Sequence, residues 1–142
     1  MENIKNFSEW RAEEIAKIYL LKSGYNLTIE KYPTPLFDFF ITLKDNPEVR
    51  FAVEVKTSKN FLPGLRKQLS NLKIYRDAGM ITLPVLLFKI DEVKEKGKLD
   101  FIVIPSFIEK KLLIRNDFKF IDLNEKNLSA KIESIIKWYK EK

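Results

Sequence analysis

Phe51-Ala52-Val53-Glu54-Val55-Lys56-Thr57 reads as a strand that carries a carboxylate in its middle. Phe51, Val53, Val55 and Thr57 alternate onto one face; Ala52, Glu54 and Lys56 take the other. A carboxylate in so apolar a run costs several kcal/mol unless it is paired or holds a metal. Lys56 shares the face of Glu54, about 6.6 Å further along the strand. Upstream, Lys44-Asp45-Asn46-Pro47 reads as a hairpin turn. It follows an aromatic-rich strand, Leu36 to Leu43, with one charge inside it, Asp38. Adjacent hairpin strands can set Asp38 beside Glu54, depending on register. The unit is Asp38, fifteen residues, then Glu54-Val55-Lys56.

The remaining elements follow outward from this hairpin. Ser8 reads as the N-cap of a first helix whose apolar stripe is Ile15, Ile18, Tyr19 and Leu20. Gly24 closes it as a left-handed cap. Tyr25, Leu27 and Ile29 then alternate as a strand, and Pro33-Thr34-Pro35 is a turn. Pro63-Gly64 opens a second helix that ends near Ala78-Gly79. Pro84 to Ile90 is a strand buried on both faces, and Asp91 to Lys98 is a charged loop. Leu99 to Ile104 is another strand, Ser106 to Leu113 a short helix, and Phe118 to Leu123 a short strand. Asn124 caps a last helix that buries Leu128, Ile132, Ile135, Ile136 and Tyr139. The class is α/β, a mixed sheet with helices on both faces, and residues 1–142 suit one domain.

Composition removes many chemistries. Among 142 residues there is no cysteine and no histidine, which excludes thiolate zinc sites, thiol nucleophiles and histidine bases. With only 4 glycines there is no phosphate-cradling loop. Carboxylates, lysines, hydroxyls and hard metals remain. Lys and Arg total 26 against 20 Asp and Glu, a net charge of +6 that suits an anionic partner such as nucleic acid. The charge is spread: residues 1–71 hold 11 basic and 9 acidic side chains, so any binding surface is assembled by folding. No signal-peptide layout opens the chain and no apolar run approaches the ~20 residues of a membrane span, so no membrane role and a cytoplasmic location are the expectations.

Two carboxylates and a lysine, without histidine, suit phosphodiester hydrolysis. The carboxylates can bind a magnesium ion that reaches a phosphate oxygen, and the lysine can orient the attacking water and offset charge on phosphorus. Glu-x-Lys also occurs at Glu92-Val93-Lys94 and Glu109-Lys110-Lys111, but only the first copy has a strand setting and an upstream aspartate. Asp100 and Asp122 read as strand-end residues that solvent suffices to satisfy.

Phe37-Asp38 with Glu54-Val55-Lys56 resembles the signature of the PD-(D/E)xK, or restriction-endonuclease-like, superfamily. The opening helix, Glu13-Glu14-Ile15-Ala16 to Tyr19-Leu20 and then Gly24-Tyr25, looks like the start of its small members, including Holliday-junction-resolvase-like proteins. The resemblance spans roughly Ser8 to Ile90. It implies an αβββαβ core, here with a helical C-terminal extension. It implies Asp38 and Glu54 as ligands of Mg2+ (or Mn2+), with the Val55 carbonyl as a third, and Lys56 as the catalytic lysine. It implies Glu13 as a supporting residue and Gln68 as a polar residue of the second helix near the site. Phe39-Phe40 after Asp38 is bulkier than the pattern, which would narrow access. Lys59, Arg66 and Lys67, near that helix, could line a phosphate track. Trp10, Trp138 and Tyr139 read as core or interface.

The expected function is therefore a metal-dependent endonuclease acting on nucleic acid, DNA first. The alternative is a catalytically inactive domain of that fold, binding nucleic acid or a protein partner in a defence or mobile-element system. A structure-specific resolvase acting as a homodimer is a third reading. For Asp38, Glu54 and Lys56 the competing role is a strand-face ion pair of structural use.

Overall fold

In a computed structural model the described residues are 7–33, 37–58, 83–103 and 120–141. They form helix α1 (Phe7–Leu21), strands β1 (Leu27–Lys31), β2 (Phe39–Leu43), β3 (Arg50–Thr57), β4 (Pro84–Asp91), β5 (Lys96–Val103) and β6 (Ile121–Asp122), and helix α2 (Glu125–Lys140). The strands make one six-stranded sheet in chain order. Every neighbouring pair is antiparallel except β3 with β4, which is parallel. Parallel neighbours need a long crossover, and 26 residues separate these two strands. The second helix expected at Pro63 to Gly79 and the short one expected at Ser106 to Leu113 lie outside the described residues.

The alternation in β3 works as the sequence implies. Phe51, Val53 and Val55 join Phe39 and Ile41 of β2, Leu86 and Phe88 of β4 and Leu99 of β5 in one buried cluster. Both described helices cover that face. α1 contributes Ala12, Ile15, Ala16 and Leu20; α2 contributes Leu128, Ile132 and Ile135. Ala12 and Ala16 carry no bulk beyond Cβ, which lets α1 lie close to the sheet. The second face of the sheet holds Ala52, Glu54, Val85, Leu87 and Asp100, all buried. β4 is thus apolar on both sides, as expected of a strand with a parallel neighbour.

Local signals decide the element ends. Gly24, at φ 88°, closes α1 in the left-handed region. Ser8 stands inside the first turn of α1 rather than capping it. Asn124 is extended (φ −153°, ψ 170°) and its side chain accepts the Asn127 amide at 2.8 Å, the cap read from the sequence. The segment expected as a charged loop is a tight hairpin between β4 and β5. Asp91 accepts the amides of Val93 and Lys94 through Oδ1, each at 3.1 Å, and Glu95 takes a positive φ of 57°. Arg11 of α1 ties this tip down through the Glu92 carbonyl and the Glu95 carboxylate. Ile18, placed on the buried stripe by its spacing, is half exposed, because Ala12 and Ala16 turn the helix by a different edge to the sheet.

Gly97 shows how closely this hairpin packs. A Cβ there would lie 2.7 Å from the Lys89 carbonyl oxygen and 2.8 Å from Ile90 Cδ1. Gly97→Ala should cost about 1–3 kcal/mol, as overpacking does. Asn124→Ala should cost about 1 kcal/mol through the lost cap. Urea unfolding with an unchanged slope checks both; an unaltered midpoint for Gly97→Ala would mean that the hairpin yields freely.

Candidate active site

Asp38 does not lie within a strand, as its surroundings suggested, but at a bend one residue before β2. Its backbone still follows β3: the Asp38 amide donates to the Val53 carbonyl at 3.0 Å, and its carbonyl accepts the Tyr32 amide at 3.3 Å. Its side chain continues the ladder where the backbone leaves it. Asp38 Oδ2 accepts the Val55 amide at 2.7 Å. The bend exists because a carboxylate can meet that amide in place of a strand partner.

Glu54 projects from the opposite side of β3 to Val55 and is 3% exposed. Lys56 Nζ stands 2.8 Å from Glu54 Oε2, and the Asp38 and Glu54 side chains hydrogen-bond to each other. The three residues singled out in the sequence thus meet at one point, on the sheet face away from α1 and α2. Two carboxyl groups in direct contact cannot both stay charged without a proton or a cation between them. Burial pushes the Glu54 carboxyl well above its ordinary value of 4.5; the Asp38 charge pushes it further and Lys56 pulls it back. Lys56 keeps 21% of its side chain in contact with solvent, so the site has a wet side.

Aromatic rings flank the aspartate. Tyr32 lies edge-on to Phe37 at 5.0 Å and to Phe40 at 6.1 Å between centroids. Phe39 faces the other way, into the core cluster, so it does not narrow the site; Phe40 is half-buried. Glu13 is half-buried on α1. Among the described residues no group of three or more acidic side chains is arranged to hold a metal ion; Asp38 and Glu54 stand as a pair. Lys59, Arg66, Lys67 and Gln68 lie outside the described residues.

Asp100 is not at a strand end satisfied by solvent. It sits inside β5, is 5% exposed and pairs with Lys131 Nζ of α2 at 3.2 Å. It belongs to the same cross-strand row as Glu54, with Leu87 between them. Its position between Leu99 and Phe101 repeats that of Glu54 between Val53 and Val55, which was the available signal. A cavity of about 700 Å³ lies elsewhere, bordered by Ile15, Ile18, Tyr19 and Lys22 of α1 and Glu125 of α2.

No protein-family model, curated protein or solved structure matches the chain. Among the described residues no helix is long and apolar enough to cross a membrane.

The raised carboxyl has a thermodynamic signature. Between the ordinary carboxylate value and its own higher one, folded Glu54 holds more proton than unfolded Glu54, so stability falls as pH rises through that window. In a chelator, Glu54→Gln should flatten this fall and melt several degrees above the wild type at neutral pH. Overlapping melting-temperature profiles from pH 4 to pH 8 would show that Glu54 carries no such burden.

Proposed function

We propose that the chain is a metal-dependent nuclease that hydrolyses phosphodiester bonds, with DNA as the first substrate class. The observation that carries this reading is the meeting of Asp38, Glu54 and Lys56 at one point, with Glu54 buried against a second carboxylate. A divalent cation suits that donor set: both carboxylates are hard oxygen donors, and a cation between them would relieve the repulsion that otherwise demands a proton. Asp38, Glu54 and the Val55 carbonyl would hold Mg2+ or Mn2+. Bound there, the ion would supply Lewis acidity and a more acidic water.

The chain's own residues do the rest. The Val55 amide fixes one Asp38 oxygen at 2.7 Å, and the Asp38 side chain also meets that of Glu54. Lys56, held by Glu54 and open to solvent, orients the water and offsets the charge that builds on phosphorus. Water oxygen bonds to phosphorus as the bond to the leaving oxygen breaks, giving a phosphate monoester and a free hydroxyl. The net charge of +6 and the resemblance to the PD-(D/E)xK superfamily support the same reading. A second reading has its own observation. Asp38 completes the β3 ladder and Lys56 neutralises Glu54, so the trio could be structural in an inactive nuclease-fold domain that binds nucleic acid or protein.

Magnesium titration against a panel of duplex, flap, four-way junction and single strand separates the two. On the nuclease reading Lys56→Ala should cut the cleavage rate by at least about a hundredfold, while magnesium still raises its melting temperature. Asp38→Ala should lose that magnesium-dependent shift. A wild type that neither cleaves nor is stabilised by magnesium or manganese would favour the structural role.

Binding gives a further test. A contact set of about four phosphates predicts a slope near −3.6 for log affinity against log salt, with little sequence preference. Glutamate at Arg66 and Lys67 should weaken all sequences alike. A slope near zero would instead favour a protein-binding module.

A further inference from the structure

Helix α1 is apolar on two sides. One side is the buried stripe of Ala12, Ile15, Ala16 and Leu20. The other carries Phe7, Trp10, Ile18 and Leu21, which are 78%, 61%, 50% and 66% exposed. Among the described residues, the large apolar side chains that are exposed are these four and Val93, so the apolar surface is concentrated on one helix. At roughly 100° per residue, all four lie within about 40° of the Glu14 direction, on a single outward stripe. A helix apolar on both sides is ordinarily buried on both.

The stripe's spacing suits a second copy of the chain. Phe7 and Leu21 stand seven residues either side of Glu14, and Trp10 and Ile18 four residues either side. This pattern is its own complement under a two-fold axis through Glu14: laid antiparallel on a second copy, Phe7 meets Leu21 and Trp10 meets Ile18. A closed two-fold interface requires such self-complementarity. The charges are ordered to match. Glu13 lies one residue before the Glu14 axis and Lys17 three residues after it, on the same flank of the stripe. Antiparallel pairing sets Glu13 of one copy beside Lys17 of the other; parallel pairing sets like against like. On the axis the two Glu14 side chains meet, each paired with Lys17 of its own helix at 3.2 Å.

We propose that this face of α1 is the interface of a homodimer, with two copies of α1 packed antiparallel about Glu14. The four side chains expose on the order of 500 Å² per chain, so a pair would bury about 1,000 Å², the low end of specific interfaces. The expected association is therefore reversible and in the micromolar range. Because α1 covers the face of the sheet opposite Glu54, the faces bearing Asp38, Glu54 and Lys56 point away from the axis in both copies. The inference does not rest on the nuclease reading.

The test uses the full chain. Sedimentation equilibrium should show a monomer–dimer equilibrium at micromolar concentrations. Trp10→Ser and Leu21→Ser should shift it at least tenfold toward monomer with an unchanged circular dichroism spectrum. The chain has no cysteine, so single cysteines report the geometry directly. Under mild oxidation Glu14→Cys should form a covalent dimer, as should a mixture of Trp10→Cys and Ile18→Cys chains. Trp10→Cys alone should not, nor should Lys44→Cys, which is exposed in the β2–β3 turn. A wild type that stays monomeric, a dimer unmoved by the serine variants, or crosslinking of Trp10→Cys alone as fast as of Glu14→Cys would each overturn the proposal.

Discussion

The parallel pairing of β3 with β4 places Glu54 in the middle of a six-stranded sheet, where water cannot solvate its carboxylate. Much of the site's arrangement answers that constraint. Lys56 reaches back two residues to supply a positive charge, and Asp38 meets Glu54 from the adjoining bend. The pair of carboxyls stays short of neutral balance: burial and like charge outweigh one lysine. A fold that keeps so costly a group at its centre has either a structural use for it or a ligand that relieves it.

The two faces of the sheet divide the labour. One is closed by α1 and α2 over a continuous apolar cluster, with an N-cap, a left-handed glycine and a tethered hairpin fixing its edges. The other carries the buried charges Glu54 and Asp100, in one cross-strand row separated by Leu87. Stability from the first face is what allows buried charge on the second, since a marginally stable chain cannot absorb several kcal/mol of desolvation elsewhere.

Much of this was legible in the sequence. The β3 run showed its own alternation, β4 its two-sided burial, Asn124 its cap and Gly24 its left-handed turn, because each depends on residues within a few positions of one another. The trio Asp38, Glu54 and Lys56 was legible for a similar reason: an isolated charge in an apolar strand announces that something compensates it. Asp100 carries the same signal, but the charged run Asp91 to Lys98 has the composition of a loop and hides the first residues of β5, which starts at Lys96 and not at Leu99. One misplaced strand end turned a buried mid-strand charge into a solvated terminal one.

The sequence by itself determined the strands and helices that short-range pattern encodes, and the identity of three charged residues that need one another. Only the tertiary structure decided how they meet. Asp38 leaves β2 to accept the Val55 amide, a choice made by a ladder position across the hairpin rather than by Asp38's neighbours. Ile18 lies outside the core because α1 turns Ala12, Ile15, Ala16 and Leu20 to the sheet. Contacts between residues far apart in the chain set both outcomes, and a local pattern holds no record of which partner will arrive.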